Sequence, residues 1–164
     1  MFWIIVLGIT TGMRTMTAIA VFCWFTWFAQ IPTTRLTWWT ANIISVIIFT
    51  ALALGEYWGD TLPSTPSRKA LLLVASRIFF AVGLGVMVAS SFQEPLVGGV
   101  LFGLVGALIG IYGGYELRAR LARRVGSDFP VAIGESLLAL GLTVIAMHYV
   151  AGNISTFSHF TFQN

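Results

Sequence analysis

Six charged side chains of this chain fall inside or at the ends of long apolar runs: Arg14, Glu56, Asp60, Arg77, Glu116 and Glu135. An ionised group at the centre of a bilayer costs roughly 2.5–3.5 kcal/mol on insertion scales. Such residues persist where they pair with one another, line a wet cavity or act on something. The chemistry open to them is that of a binding path, in which guanidinium groups hold anions and carboxylates hold cations or carry protons. Glu56 and Asp60 stand four residues apart and share a helix face. Arg14 lies some dozen residues into the first apolar run, about 18 Å along a helix and too deep to reach the surface by stretching. It reads as an anion-binding group or as a counter-charge to Glu56 or Glu135, and a buried structural ion pair would leave the same trace. Thr15, with Thr10, Thr11 and Thr17 near it, either coordinates a ligand or satisfies backbone groups freed by a helix break. Arg77 is close enough to a helix end to extend toward water, and is expected to pair with Glu56 or Asp60. The candidate substrate or ion path is therefore Arg14, Thr15, Glu56, Asp60, Arg77 and Glu135.

Enzyme signatures are missing from the sequence. It contains no HExxH, GxSxG or phosphate-binding glycine loop, and Cys23 is its only cysteine. His148 and His159 have no companions spaced as metal ligands. No catalytic residue, metal site or cofactor is expected.

Composition says what must position the charges. Of 164 residues, 57% are hydrophobic and 9% charged, and the mean hydropathy is +0.89. A soluble domain carries about 25% charged residues. The sequence predicts an all-α, polytopic transmembrane bundle of about five spans, near Phe2–Ala29, Trp38–Trp58, Ala70–Ser91, Pro95–Leu117 and Pro130–Ala151. Residues 1–151 form one membrane domain. Residues 152–164 form a short tail whose Phe157, Phe160 and Phe162 suit the membrane interface. The first segment is too long for one straight crossing, and it contains Gly8-Ile9-Thr10-Thr11-Gly12. A break at Gly8–Gly12 or a strong tilt would accommodate it.

Two connections hold most of the positive charge: Arg68 and Lys69 in one, Arg118, Arg120, Arg123 and Arg124 in the other. The positive-inside rule puts both in the cytoplasm, which with five spans leaves the N-terminus inside and the C-terminus outside. The net charge of +3 then reflects contact with anionic lipid headgroups through Arg118, Arg120, Arg123 and Arg124, and not with nucleic acid. Glu116 and Arg120, four apart, read as a helix-end ion pair. In the first connection Pro63 and Pro66 stop the helices, and Ser67 with Arg68 opens the next. Glycines at 99, 103, 106, 110 and 114 form a seam for close helix packing, within one chain or between protomers. A homo-oligomer, with a dimer favoured, would help so small a bundle enclose a cavity.

The motifs Gly12-x-Arg14-Thr15-Met16-Thr17, Gly55-Glu56-x-x-x-Asp60-x-Leu62-Pro63-x-x-Pro66-Ser67-Arg68, Arg77, Gly110-x-x-Gly113-Gly114-Tyr115-x-x-Arg118 and Glu135 resemble an uncharacterised bacterial membrane family, domain of unknown function 4126. That family commonly has an acidic pair near the start of its last span, whereas Glu135 is followed by Ser136. The resemblance implies a small integral-membrane fold in a bacterial inner membrane and no particular activity. A weaker internal likeness links Gly8–Arg14 to Gly110–Arg118, and Ala53-Leu54-Gly55-Glu56 to Ala132-Ile133-Gly134-Glu135, as an ancestral duplication would. The functional expectation is a small transporter or channel for an ion or polar solute. The alternative is a lipid-binding or membrane-assembly protein whose buried charges are structural.

Overall fold

The computed structural model of the chain describes residues 1–59 and 71–161. They form α1 (Phe2–Met13), α2 (Thr15–Trp27), α3 (Ile43–Gly59), α4 (Leu71–Ser91), α5 (Leu96–Val125) and α6 (Asp128–Thr161), with a 3-10 turn at Trp38–Ala41. No strand occurs among the described residues, so the expected all-α helical bundle is what forms. Asp60, Pro63, Pro66, Ser67 and Arg68 lie outside the described residues. So do Phe162 and the side chains of Phe157 and Phe160, although α6 itself runs on through the expected tail to Thr161.

The first apolar run does not cross the bundle. Its helix stops at Met13, Arg14 adopts extended backbone angles (φ −139°, ψ 100°), and a second helix starts at Thr15. The contacts on either side show that the chain reverses there. α1 runs parallel to α5, with Gly8 against Gly103 and Gly106, Gly12 against Ala107 and Gly110, and Met13 against Gly114. α2 then returns antiparallel to α3. Its first residues meet Glu56, its Trp24 indole donates to the Thr50 hydroxyl, and Cys23 packs with Val46. Val21 and Phe22 end up in the same cluster as Ile4, Val88 and Met147. The Trp3 ring stacks on Tyr149, with centroids 4.7 Å apart.

This hairpin corrects two expectations. The break falls at Arg14, beyond Gly8–Gly12, which stay helical. The first segment is a largely buried pair of short helices and not one continuous helix. The start of α1 lies beside the later part of α6, at the bundle end opposite the α5–α6 connection. The parallel course of α1 and α5 also disposes of the internal likeness. α3 and α6 run in opposite directions, and no single rotation relates both pairs.

Helices of 12 and 13 residues extend only about 20 Å each. They are stable here because the other helices surround them. Leu7, Gly8, Thr10, Thr11, Gly12, Met13 and Arg14 are all buried, as is most of α2 through Cys23. The glycine seam of α5 lets α1 approach. A Cβ at Gly12 would stand 2.5 Å from the Ala107 carbonyl oxygen, and one at Gly8 would stand 2.8 Å from that of Gly103. The other edge of the seam takes α4, where a Cβ at Gly103 would stand 2.7 Å from the Ala81 oxygen. The seam is thus filled within one chain and gives no ground for association between protomers.

α4, α5 and α6 contain the stretches long and apolar enough to cross a membrane: Leu72–Ser91, Leu96–Val125 and Phe129–Gly152. α3, with 17 residues, is shorter and packs chiefly on α2. Large apolar side chains cover the outer surface, among them Ile44, Ile47, Leu54, Leu72, Phe79 and Leu137. An apolar surface this extensive belongs to a membrane or an interface, not to water. Gly126, at φ 76°, provides the left-handed cap that ends α5 two residues before α6 begins.

Packing at the seam yields a paired prediction. Gly110→Ala pushes a methyl group to 3.0 Å from the Gly12 Cα and closer still to the Ile9 oxygen. It should lower stability by about 1–3 kcal/mol. Gly113→Ala, on the open side with no atom within 4 Å, should leave stability unchanged or raise it by up to about 1 kcal/mol. Thermal unfolding of both variants in detergent measures the difference.

Candidate functional site

A helix reversal inside an apolar bundle exposes backbone groups that water would otherwise satisfy. The end of α1 leaves carbonyls without helical partners, and the start of α2 leaves N–H groups. Local sequence encourages the stop but does not cap it. The Thr10 and Thr11 hydroxyls both donate back to the Leu7 carbonyl, at 3.0 and 2.7 Å, in competition with the helical ladder. Arg14 makes no side-chain cap for α2.

The caps come from helices distant in sequence. Glu56, near the end of α3, accepts from both opening residues of α2: Oε1 from the Thr15 N–H and Oε2 from the Met16 N–H, each at 2.9 Å. A carboxylate at a helix N-terminus also meets the positive end of the helix dipole. Arg77, on α4, does the converse for α1. Its Nη1 donates to the Gly12 carbonyl at 2.7 Å and to the Met13 carbonyl at 3.2 Å. Among the described residues no arginine forms an ion pair with Glu56. Of the two partners expected for Arg77, Glu56 is not paired with it, and Asp60 lies outside the described residues; Glu56 and Arg77 instead each cap backbone on one side of the reversal.

Arg14 sits between those caps and is 1% exposed. Its Nη2 donates to the Ala132 carbonyl of α6 at 3.3 Å, and its guanidinium carbon lies 5.3 Å from the centre of the Tyr57 ring. The Tyr57 hydroxyl is fixed in turn against Thr17 Oγ1 at 2.9 Å. Arg14 and Tyr57 line a cleft of about 320 Å³ between α3 and α6, together with Trp58, Ala132, Ser136 and Leu140. The cleft exists because α3 packs on α2 and leaves α6 uncovered at this level.

Glu135 lies on another side of α6. It pairs with Arg118 Nη1 at 3.4 Å, both side chains largely buried, and lines a second groove, between α5 and α6, of about 250 Å³. Of the six expected path residues, Arg14, Thr15, Glu56 and Arg77 therefore gather at one point. Asp60 is outside the described residues, and Glu135 faces a separate groove. Arg118, expected at lipid headgroups, is the partner of Glu135, whereas Arg120, Arg123 and Arg124 are exposed. The Glu116–Arg120 pair forms as expected, at 2.9 Å. Tyr57, Ser136 and the Ala132 carbonyl were not legible as site members. Only the adjacency of Tyr57 to Glu56 hinted at one of them.

Fold and site together define an all-α bundle built around a buried, charge-capped helical hairpin. The chain belongs to the family described as Domain of unknown function (DUF7670), whose model matches residues 30–156. Glu56, Arg77, Arg118 and Glu135 fall within that match, and the hairpin precedes it. The assignment replaces the resemblance to domain of unknown function 4126, and the bacterial inner-membrane location it implied goes with it. No curated protein and no solved structure matches the chain.

Because the caps are charged, their loss should be costly. Each hydrogen bond to a charged group contributes about 1.5–3 kcal/mol. Glu56→Ala removes two and should unfold well below the wild type in detergent, while Glu56→Gln, which keeps one acceptor oxygen, should fall between them. Equal stability of Glu56→Ala and wild type would contradict the capping role.

Proposed function

We propose that the protein is a small integral-membrane transporter or channel that passes a small anion or anionic solute through the cleft beside Arg14. The carrying observation is the hairpin reversal itself: two helix ends and a guanidinium are held together beside a cavity, within the bundle. Non-helical backbone at membrane depth is tolerated where it is buried in protein or lines a cavity. Broken helices whose ends point at a midplane site recur in transporters. A cation backed by Tyr57 favours an anion there, in a cleft that Ser136 also lines.

Orientation follows from the arginine-rich end of α5. If that end and the 59–71 connection face the cytoplasm, the hairpin enters from outside, both termini are outside, and α3, α4, α5 and α6 make four crossings. The alternative is a lipid-binding or assembly protein. It is favoured by one specific finding: Glu56 and Arg77 are committed to the hairpin's own backbone.

Purified protein in proteoliposomes distinguishes the two readings. The wild type should pass a small monovalent anion in preference to potassium. Arg14→Gln, confirmed folded by its melting profile, should lower apparent affinity roughly ten- to a hundredfold, as loss of one charge-assisted contact implies. Ser136→Leu, which narrows the cleft without touching the hairpin, should lower flux at unchanged stability. Properly inserted wild type that passes no ion would overturn transport in favour of the lipid or assembly role.

A further inference from the structure

The groove between α5 and α6 does not belong to the Arg14 cleft and has a different character. Its walls are Leu117, Leu121 and Val125 on one side and Pro130, Val131 and Leu138 on the other. On α5 these positions recur every four residues, and on α6 they share a face with Gly134 and Glu135, so the groove is apolar apart from its arginine–glutamate pair. The two helices are joined by only Gly126 and Ser127, yet they enclose about 250 Å³ that no side chain fills. Gly134 lies in the wall, and a Cβ there would meet nothing within 4 Å. The deep end is closed by the Arg118–Glu135 pair.

Cations mark the other end. Arg120 and Arg124, one turn apart on α5, flank Leu121, and Arg123 sits on the same closing turns. All three are exposed, and Glu116 neutralises only Arg120. Arg123 and Arg124 make no ion pair among the described residues. An apolar slot that opens beside exposed arginines complements a molecule with an aliphatic chain and an anionic head. A soluble anion has no use for the slot, and a zwitterionic lipid gains little from the arginines.

We propose that this groove holds one acyl chain of an anionic glycerophospholipid drawn from the surrounding membrane, with its phosphate head against Arg124. The bound lipid completes the contact between α5 and α6 that the protein leaves open. The proposal rests on the membrane residence proposed above and is independent of transport.

The test uses full-length protein from nanodiscs of mixed phosphatidylglycerol and phosphatidylcholine, with bound lipid counted by native mass spectrometry after delipidation. The wild type should retain one phosphatidylglycerol. Gly134→Leu, which fills the slot where there is room for a side chain, should lose that lipid while its oligomeric state and secondary structure stay the same. Arg124→Gln should still retain a lipid but lose the preference for phosphatidylglycerol. Folded Gly134→Leu that retains the same lipid, or wild type that holds both lipids equally, would overturn the proposal. Lipid retention needs no flux, so a protein that keeps its lipid and passes no ion would fail the transport reading alone.

Discussion

A peptide group in an apolar interior must have a hydrogen-bond partner, and a chain that reverses there exposes several groups at once. The arrangement of this bundle follows from meeting that demand at Arg14. The reversal needs an acceptor for the N–H groups that open α2 and a donor for the carbonyls that close α1. Glu56 and Arg77 provide them from α3 and α4, helices that follow the hairpin in sequence and stand on different sides of it. The two caps therefore also fix where α3 and α4 sit relative to the hairpin. Charged groups are used because a charge-assisted bond outweighs a neutral one in such surroundings, and because each charge meets the complementary end of a helix dipole.

The hairpin can occupy the centre only if its helices come close to their neighbours. α1 achieves this by meeting α5 glycine to glycine, with Gly8 and Gly12 opposite Gly106 and Gly110. Backbone-to-backbone approach of this kind maximises dispersion contact where no difference in solvent polarity drives helices together. It also leaves little freedom to slide, since carbonyl oxygens occupy the space a Cβ would take. Packing is unequal elsewhere. α3 touches α2 and leaves α6, and α5 leaves a groove against α6 near their connection, so both of these open volumes flank α6. Each has a buried arginine in its lining, Arg14 in one and Arg118 in the other.

The helices, the Glu116–Arg120 pair and the importance of the buried charges were legible in the sequence, because composition and i,i+4 spacing are local properties. The reversal was not. On hydropathy alone residues 2–29 form one continuous apolar run, and a span and a hairpin of half-length helices have the same composition. Gly8 and Gly12 looked like the weak point, but their role is close packing, and a helix tightly packed on glycines is well supported there. The break moved to Arg14, where no local cap exists and the partners lie about 40 and 60 residues away in sequence. The count of about five spans came from the same source, since it took the run as one long helix where three other helices are long and apolar enough to cross a membrane. Arg118 was read with the exposed arginines around it because sequence alone does not say which member of a helix-end cluster turns toward α6.

The charged residues of the interior divide by what their hydrogen-bonding capacity serves. Glu56 and Arg77 hold the backbone ends of the hairpin, so any substitution there alters the fold and function together. A lost activity in such a variant says nothing about a substrate. Glu135 and Arg118 are tied to each other across α5 and α6, and their shared groove is apolar apart from them. Arg14 differs from both. Among its contacts are a hydrogen bond to the Ala132 carbonyl and the face of Tyr57, and Arg14 lines an open cleft whose other members, Tyr57, Trp58 and Ser136, do not cap the hairpin. A solute that enters this cleft meets positive charge at the hairpin tip and, within two residues, the carboxylate that holds the start of α2. An anion strong enough to compete for those N–H groups would displace Glu56 and loosen the reversal. Anion binding at this site, as proposed, would thereby be coupled to the geometry of the helix pair on which the rest of the bundle is packed.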